Sequence, residues 1–249
     1  MDKSEIIILV TGSSNHPWDL NYKECQNTWI PLIQKLGYNV KIALGDINID
    51  NYFIDNGDII KFKTQDSKIG LVDKSVILPL KWIINETNYK YYFRIDSDSF
   101  VHPIRFNNML NDIIDKYNPD YLGNCTPYPG FNPNDILTTY IENKDHFSHY
   151  ASGTAYMISR NIMQIVIDNI RIDNQWELEC DDYVLGRTLY ENNIKLLHTS
   201  YICMESKWKQ IVQNNYNIKI PQIELKDSHL AIQHYQNGHM MEILLNLLS

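Results

Sequence analysis

The sequence predicts an α/β domain built on a mainly parallel central sheet that is flanked by helices. Three observations predict it: apolar β-branched runs alternate with amphipathic stretches, the first run enters a Gly/Ser-rich loop, and the composition is that of a packed protein. The chain has 249 residues, 44% of them hydrophobic and 21% charged, with 10 Gly and 9 Pro. Such a chain buries a sizeable core, which excludes disordered and collagen-like folds.

The first half of the chain alternates strands and helices. Ile6 to Val10 is a β-branched run closed by Thr11 to Asn15, which is typical of a buried strand entering a polar loop. The other elements predicted here are a helix from about Asp19 to Leu36, strands at Asn39 to Leu44 and Asp58 to Phe62, a helix carrying Leu71 to Ile83, and a strand at Tyr91 to Ile95. Alternation of this kind favours parallel pairing.

Proline and turn residues change the pattern after about Phe100. Pro103 and later prolines, together with the Tyr-, Asn- and Gly-rich segment from Tyr117 to Asn134, predict loops and short strands. The regular elements predicted beyond are a strand at Thr154 to Ile158, a helix near Asn161 to Asn169, a helix beginning at Asp181-Asp182 and a terminal helix at Met240 to Leu248. Since no linker interrupts the chain, residues 1–249 are interpreted as one domain.

The charge balance restricts the partners. The chain carries 22 Lys+Arg against 30 Asp+Glu, a net charge of −8, which disfavours nucleic acids and anionic membranes. No signal peptide is visible, and no apolar stretch approaches the roughly 20 residues of a membrane span. We therefore expect no nucleic-acid partner and no membrane insertion. We expect a cytoplasmic location, in a host cell if the protein is viral, and the lumen of the ER or Golgi only for a domain of a longer chain.

Two carboxylates follow a predicted strand directly. Asp96 and Asp98 lie two residues apart, so in an extended backbone both side chains project to the same face. In an open parallel sheet, ligands bind beyond the carboxyl ends of the strands, where this pair would lie. Carboxylates there suit Mg²⁺ or Mn²⁺. The alternative interpretation is a polar turn without a ligand.

A second acidic group precedes a predicted helix. The run from Glu177 to Asp182 contains four carboxylates, and acids at a helix start are expected to cap free N–H groups. A paired carboxylate in a cleft could instead act as a general base.

Histidines recur near the C-terminus. His229, His234 and His239 lie five residues apart, which is not the spacing of a regular three-ligand face, so at most one is expected to bind metal. The loop that begins at Thr11 could hold a nucleotide, although it lacks the G-x-G-x-x-G of a dinucleotide site.

Six segments, taken in order, match the motifs of one enzyme family. They are Glu24 to Trp29, Leu71 to Trp82, Arg94 to Val101, Tyr150 to Arg160, Asp181 to Gly186 and His234-Tyr235. Together they resemble the Fringe and β-1,3-galactosyltransferase type of glycosyltransferase, which has the GT-A nucleotide-sugar-binding fold. The resemblance implies a single GT-A domain with a Rossmann-like sheet, in which about 1–100 form the nucleotide-binding half and about 101–249 the acceptor-binding half.

The matches include departures from the family pattern. The segment Arg94 to Val101 is similar to Lys-x-Asp-Asp-Asp-x-Phe-Val, with Ser97 in place of the middle acid. The segment Tyr150 to Arg160 resembles Tyr-x-Ser-Gly-Gly-Gly-Tyr-x-x-Ser-Arg, with Thr154 and Ala155 where glycines are usual. Because these changes could narrow the pocket, no particular sugar is implied.

The resemblance implies a UDP-sugar donor, a glycan or glycoprotein acceptor, and a bound Mn²⁺ or Mg²⁺. It implies that Asp98 and Asp96 hold the metal against the diphosphate and that His234 completes the coordination. Asp182 would take the proton from the acceptor hydroxyl during attack on the anomeric carbon, giving inversion, with Asp181 as the alternative base.

The same resemblance implies further contacts with the donor. Thr11, Asp46, Lys74 and Asp96 fall where residues of this fold meet the nucleotide, and Gly153 would let the backbone approach the sugar closely.

The function expected from these features is that of an inverting, metal-dependent hexosyltransferase, active in protein glycosylation or carbohydrate biosynthesis. One alternative is a metal-dependent nucleotide-sugar hydrolase or nucleotidyltransferase, which would turn over the donor without a sugar acceptor. The other is a non-catalytic module that binds a sugar or nucleotide.

Overall fold

The structure is a computed structural model of the chain and describes residues 2–126, 138–141, 147–203 and 232–234. Its strands are β1 (Ile6–Thr11), β2 (Asn39–Gly45), β3 (Phe53–Asn56), β4 (Ile59–Phe62), β5 (Tyr91–Asp96), β6 (Ser99–Val101), β7 (Tyr121–Thr126), β8 (Thr138–Ile141), β9 (Tyr150–Ser159), β10 (Leu196–Thr199), β11 (Ile202–Cys203) and β12 (Ile232–His234). Its α-helices are α1 (Asp19–Asn27), α2 (Ile30–Lys35), α3 (Leu78–Glu86), α4 (Pro103–Tyr117), α5 (Arg160–Asn169) and α6 (Asp181–Glu191).

A nine-stranded mixed sheet forms the centre of the molecule, in the order β3-β4-β2-β1-β5-β9-β7-β10-β8. Strands β4, β2, β1 and β5 run parallel, and β9 lies antiparallel between β5 and β7. The carboxyl ends of β1, β2 and β5 therefore meet at one edge of the sheet. The α/β fold class predicted from the sequence is confirmed.

The core lies on both faces of this sheet. In β1, Ile6, Ile8 and Val10 join one apolar cluster, while Ile7 and Leu9 join the cluster on the opposite face. All five side chains are fully buried, which explains why the strand is a continuous apolar run and does not alternate.

The first predicted helix is divided in two. A single helix from Asp19 to Leu36 was expected, but Thr28 leaves helical geometry with φ −116° and ψ −91°. Pro31 enforces the break, because it lacks an N–H group and its ring would clash with the carbonyl of Asn27 in a continuous helix. The break leaves Trp29 fully buried between the two halves.

The prediction of loops and short strands after Phe100 was wrong for Pro103–Tyr117, which is the long helix α4. A proline at the first turn of a helix loses no hydrogen bond, so here it begins a helix. Phe106, Leu110 and Ile113 recur at helical spacing and are buried. The edge strand Phe53–Asn56 was also missed, because its mostly exposed residues carry no apolar alternation.

A small second sheet has the strand order β11-β12-β6, and its strand β6 follows β5 after a short turn. Strand β12 pairs antiparallel with β6, and this register sets the backbone of His234 opposite Ser99. Within the described ranges, no helix is both long enough and apolar enough to cross a bilayer. The predicted terminal helix Met240 to Leu248 lies outside the described residues, as do His229 and His239.

Candidate active site

The site begins where β1 and β5 end side by side. Thr11 and Asp96 are direct partners in the parallel register, and the N–H of Ser97 donates to the carbonyl of Thr11 at 3.2 Å. The Thr11 hydroxyl is buried and has no hydrogen-bond partner among the residues described. Two of the predicted donor-binding residues therefore lie at the same point of the sheet edge.

A tight turn carries the carboxylate pair. Strand β5 ends at Asp96 and β6 begins at Ser99, so Asp98 lies within the turn. Two side chains from the α1–α2 region hold this turn. The Cys25 thiol donates a hydrogen bond to the carbonyl of Ser97, and the Trp29 indole N–H donates one to the carbonyl of Ser99, both at 3.1 Å. The turn thus holds Asp96 and Asp98 partly exposed at the edge.

A buried arginine links the two acidic groups predicted from the sequence. Arg94 is 1% exposed, and its Nη2 lies 2.7 Å from Oδ1 of Asp96. Its Nε lies 3.3 Å from Oδ2 of Asp181, at the start of α6. One guanidinium therefore joins the end of β5 to the start of α6, although the two acids are far apart in the sequence.

Asp181 is the inner member of the second pair. It is 3% exposed, and besides the ion pair with Arg94 its Oδ2 accepts a hydrogen bond from the Tyr156 hydroxyl at 3.2 Å. The Arg94 guanidinium also lies over the Tyr156 ring, 5.6 Å from its centroid. These contacts give Asp181 a fixed place in the interior and leave it little contact with solvent.

Asp182 is the outer member and is only partly buried. Its Oδ2 accepts the N–H of Gly153 and its Oδ1 that of Tyr183, both at 2.8 Å. Burial, and then the negative charge of Asp181, raise the pKa of Asp182 to about 6, although the two backbone hydrogen bonds and Arg94 oppose the shift. Its carboxylate is thus present at neutral pH yet more basic than an ordinary aspartate.

Gly153 shapes the space in front of this carboxylate. A Cβ at this position would lie 3.3 Å from Oδ2 of Asp182 and 3.6 Å from Nη1 of Arg94. A side chain would crowd the hydrogen bond between strand β9 and α6. The glycine therefore lets β9 approach Asp182 closely.

Lys74 reaches the same edge from the helical turn that precedes α3. It is buried, and its Nζ donates to the carbonyl of Gly12 at 2.6 Å and pairs with Oδ1 of Asp66 at 2.8 Å. Asp66 in turn accepts the N–H of Ser14 at 2.6 Å and its hydroxyl at 2.7 Å. The ammonium group thus fixes the loop after β1, and direct contact with a nucleotide stays a prediction.

Asp46 follows β2 and already has partners. Its Oδ2 lies 3.0 Å from Nζ of Lys61, and its Oδ1 accepts the N–H of Asn48 at 3.1 Å. Hydrogen bonds from Lys61 and Asn48 lower its pKa. Its predicted contact with the nucleotide remains untested.

The predicted metal site is described in part. Asp96 and Asp98 lie two residues apart at the sheet edge, and pairing with β6 brings the backbone of His234 next to them; the His234 side chain is not described. Among the described residues, no group of three or more His, Cys, Asp or Glu side chains could hold a metal ion. The two partly exposed carboxylates nevertheless fit Mn²⁺ or Mg²⁺, which take one or two such ligands together with substrate phosphates.

Sequence reasoning assigned no role to Arg94 or Asp66. A signal for Arg94 existed: it lies two residues before Asp96 in a predicted strand, so both side chains share a face, and a charge in a buried strand needs a partner. For Asp66 no local signal existed, because its partners Lys74 and Ser14 come from two other segments of the chain.

Comparisons with known proteins identify the family of the chain and its fold. The Galactosyltransferase family model matches residues 51–200. Among solved structures, a glycosyltransferase involved in the glycosylation of the major capsid of PBCV-1 has a TM-score of 0.53 at 14% identity, covering 97% of this chain and 98% of that one. The chain is also similar to the galactosyltransferase LgtC, with a TM-score of 0.45 at 10% identity, covering 97% of this chain and 95% of that one. No curated protein sequence matches the chain.

Proposed function

The chain belongs to the Galactosyltransferase family, and on that premise we propose that it is an inverting, metal-dependent glycosyltransferase. It moves a hexose or N-acetylhexosamine from a UDP-sugar to a hydroxyl group of a glycan or glycosylated acceptor.

One observation carries the proposal: the partly buried carboxyl of Asp182, aligned by two backbone N–H groups, with a pKa raised to about 6. A general base works best when its pKa lies near the operating pH, and Asp182 meets that requirement. Asp182 accepts the proton of the acceptor hydroxyl as that oxygen attacks the anomeric carbon and the bond to UDP breaks. Asp181 serves as a positioning residue, since it is buried and paired with Arg94.

The donor side of the reaction lies at the ends of β1 and β5. Thr11 and Asp96 are neighbours there, and the adjoining loop is held in shape by the Lys74–Asp66 pair. A preformed loop lowers the ordering cost of binding a nucleotide. Gly153 lets the sugar of the donor come close to the backbone beside Asp182.

Asp96 and Asp98, with His234, would hold the divalent cation of the active enzyme. When bound, the ion supplies Lewis-acid neutralisation of the charge that builds on the leaving diphosphate. The positive charge of a bound cation would also explain how a protein with a net charge of −8 binds the dianionic diphosphate group of the donor.

A donor screen tests the proposal. UDP-glucose, UDP-galactose and UDP-GlcNAc are each incubated with Mn²⁺, with and without EDTA and a mixture of glycan acceptors, and the release of UDP is followed. We expect release that requires the metal and increases several-fold with acceptor. Release that is unaffected by any acceptor would favour a nucleotide-sugar hydrolase, and UDP binding without release would favour a binding module.

A further inference from the structure

A group of aromatic side chains adjoins the candidate base, Asp182. We call it the aromatic platform; its members are Phe147, Tyr150, Trp176, Tyr183 and Tyr190. The rings of Trp176 and Tyr183 are 4.9 Å apart between centroids, and those of Tyr150 and Tyr183 are 5.7 Å apart. The platform therefore joins strand β9 and helix α6 to the short turn that carries Trp176.

A buried ion pair at the neighbouring residue, Glu177, fixes the position of the exposed Trp176. Trp176 is 51% exposed, whereas the next residue, Glu177, is 1% exposed. Glu177 forms a forked pair with Arg187 of α6 at 2.7 and 3.1 Å, and Arg187 also donates to the carbonyl of Arg171 at 2.6 Å. A buried ion pair fixes this segment, so the exposed indole has a defined position against Tyr183 and is not a loose surface group.

Two members of the aromatic platform, Tyr183 and Tyr150, lie close to the candidate base, Asp182. Tyr183 directly follows Asp182 and donates its N–H to that carboxylate, while Tyr150 lies three residues before Gly153, whose N–H donates to the same carboxylate. The negative charge of Asp182 contributes to a pKa of about 12 for Tyr150, after the larger effect of burial. Tyr183, whose ring contacts the exposed indole, and Tyr150, whose ring contacts Tyr183, thus both belong to the surroundings of the candidate base.

We propose that Trp176, supported by Tyr183, binds a pyranose ring of the acceptor glycan by stacking, an inference that rests on the proposed function. A base must lie beside the hydroxyl that it deprotonates, so the acceptor binds on the surface that adjoins Asp182. A pyranose ring presents an apolar face of C–H groups that matches a flat indole, while its hydroxyl groups stay hydrated at the rim.

Sugar binding without turnover provides the test. The probes are methyl glycosides of galactose, glucose and N-acetylglucosamine, added to the whole protein with UDP and the diamagnetic ion Mg²⁺, and saturation-transfer NMR gives the affinity and the sugar protons in contact. Variants are Trp176→Ala, Trp176→Leu and Trp176→Phe. The control is Ile172→Ala, which removes another exposed apolar side chain, 37% exposed, from the same segment.

We expect at least one glycoside to bind the wild type through the C–H groups of one ring face. Trp176→Ala and Trp176→Leu should weaken it about five- to tenfold, Trp176→Phe about two- to threefold, and Ile172→Ala not at all, because stacking needs an aromatic ring. UDP affinity and the thermal midpoint serve as folding controls. Equal affinity in Trp176→Ala and the wild type, or no glycoside binding by the wild type, would overturn the inference.

The design separates this inference from the function on which it rests. If the wild type transfers sugar and the acceptor KM is unchanged in Trp176→Ala, the function stands and the stacking site is wrong. If glycosides bind through Trp176 but no donor releases UDP, the stacking site stands as a sugar-binding surface and the transferase proposal is wrong.

Discussion

Two groups of charged side chains lie at the same edge of the central sheet, and they differ in how their charges balance. In the first, the Lys74 ammonium pairs with one carboxylate, Asp66, at 2.8 Å. In the second, the single guanidinium of Arg94 contacts both Asp96 and Asp181, with Asp182 next to them. The first group is neutral, whereas the second carries an excess of negative charge.

The pKa values follow this difference. Burial alone would raise the pKa of Asp66, but hydrogen bonds from Lys74 and Ser14 outweigh it and lower the value. For Asp182, burial and Asp181 act together and raise the value to about 6. The same residue type, aspartate, therefore stabilises the structure as Asp66 in the first group and, in our proposal, acts as a base as Asp182 in the second.

The largest effect expected is on transfer by Asp182→Asn. An amide cannot accept the acceptor proton, so kcat should fall about 10²- to 10⁴-fold, the range for loss of a general base. UDP affinity, measured by calorimetry with Mn²⁺, should stay within about twofold. Asp168→Asn, an exposed carboxylate on α5, is the control and should transfer normally. Normal transfer by Asp182→Asn would remove Asp182 from the mechanism.

The next largest effect is expected in the unfolding free energy of variants that break the Lys74–Asp66 pair. Lys74→Met leaves the Asp66 carboxylate without its cation in a mostly buried position, which should cost about 3–5 kcal/mol of unfolding free energy. Lys61→Met removes the partly exposed pair with Asp46 and should cost less than about 1 kcal/mol. Urea unfolding of both variants measures the difference. Similar losses of unfolding free energy would show that the Lys74–Asp66 pair does not stabilise the fold more than the Lys61–Asp46 pair.

A smaller effect is expected in the pH dependence of stability. Because the pKa of Asp182 is raised from 3.8 to about 6, the native state holds a proton that the unfolded state has released within this window. Stability relative to Asp182→Asn should therefore fall as pH rises from 4 to 6, by about 1–2 kcal/mol after solvent screening. Denaturation at several pH values checks this, and a parallel pH dependence in both proteins would contradict it.

The smallest effect expected is a shift in the pH profile of activity, which distinguishes the charge of Arg94 from its structural contacts. Arg94→Met removes the positive charge that lowers the pKa of Asp182, so the midpoint of the acid limb of activity should rise by about half a unit to one unit. Arg94→Lys keeps the charge and should shift the midpoint less, even if it loses stability to a similar extent. Equal midpoints in wild type and Arg94→Met would assign Arg94 a purely structural role.

Much of the fold could be predicted because local patterns determine it. The apolar run of β1 and the strand before Asp96 are confirmed at their expected places. Helix α4 was missed because a proline can either begin or interrupt a helix, and only the tertiary context of Pro103 decides. Strand β3 was missed because an exposed edge strand needs no apolar face.

The candidate site was predicted as separate motifs, and the structure adds the links between them. The sequence indicated Asp96 and the pair Asp181-Asp182, and Arg94 connects them. The spacing in β5 places Arg94 and Asp96 on one face, but no local spacing reveals the contact between Arg94 and Asp181. The different environments of Asp181 and Asp182 likewise depend on Tyr156 and Gly153, which belong to β9.

The pH dependence of acceptor-stimulated UDP release by the wild type, from pH 4.5 to 8 with saturating Mn²⁺, tests the central claim most directly. If the unbalanced charges around Asp182 prepare it as the base, kcat/KM should rise with pH to a plateau, with a midpoint near 6. A midpoint near 4, the value of an ordinary aspartate, or a rate independent of pH across this range, would contradict the account.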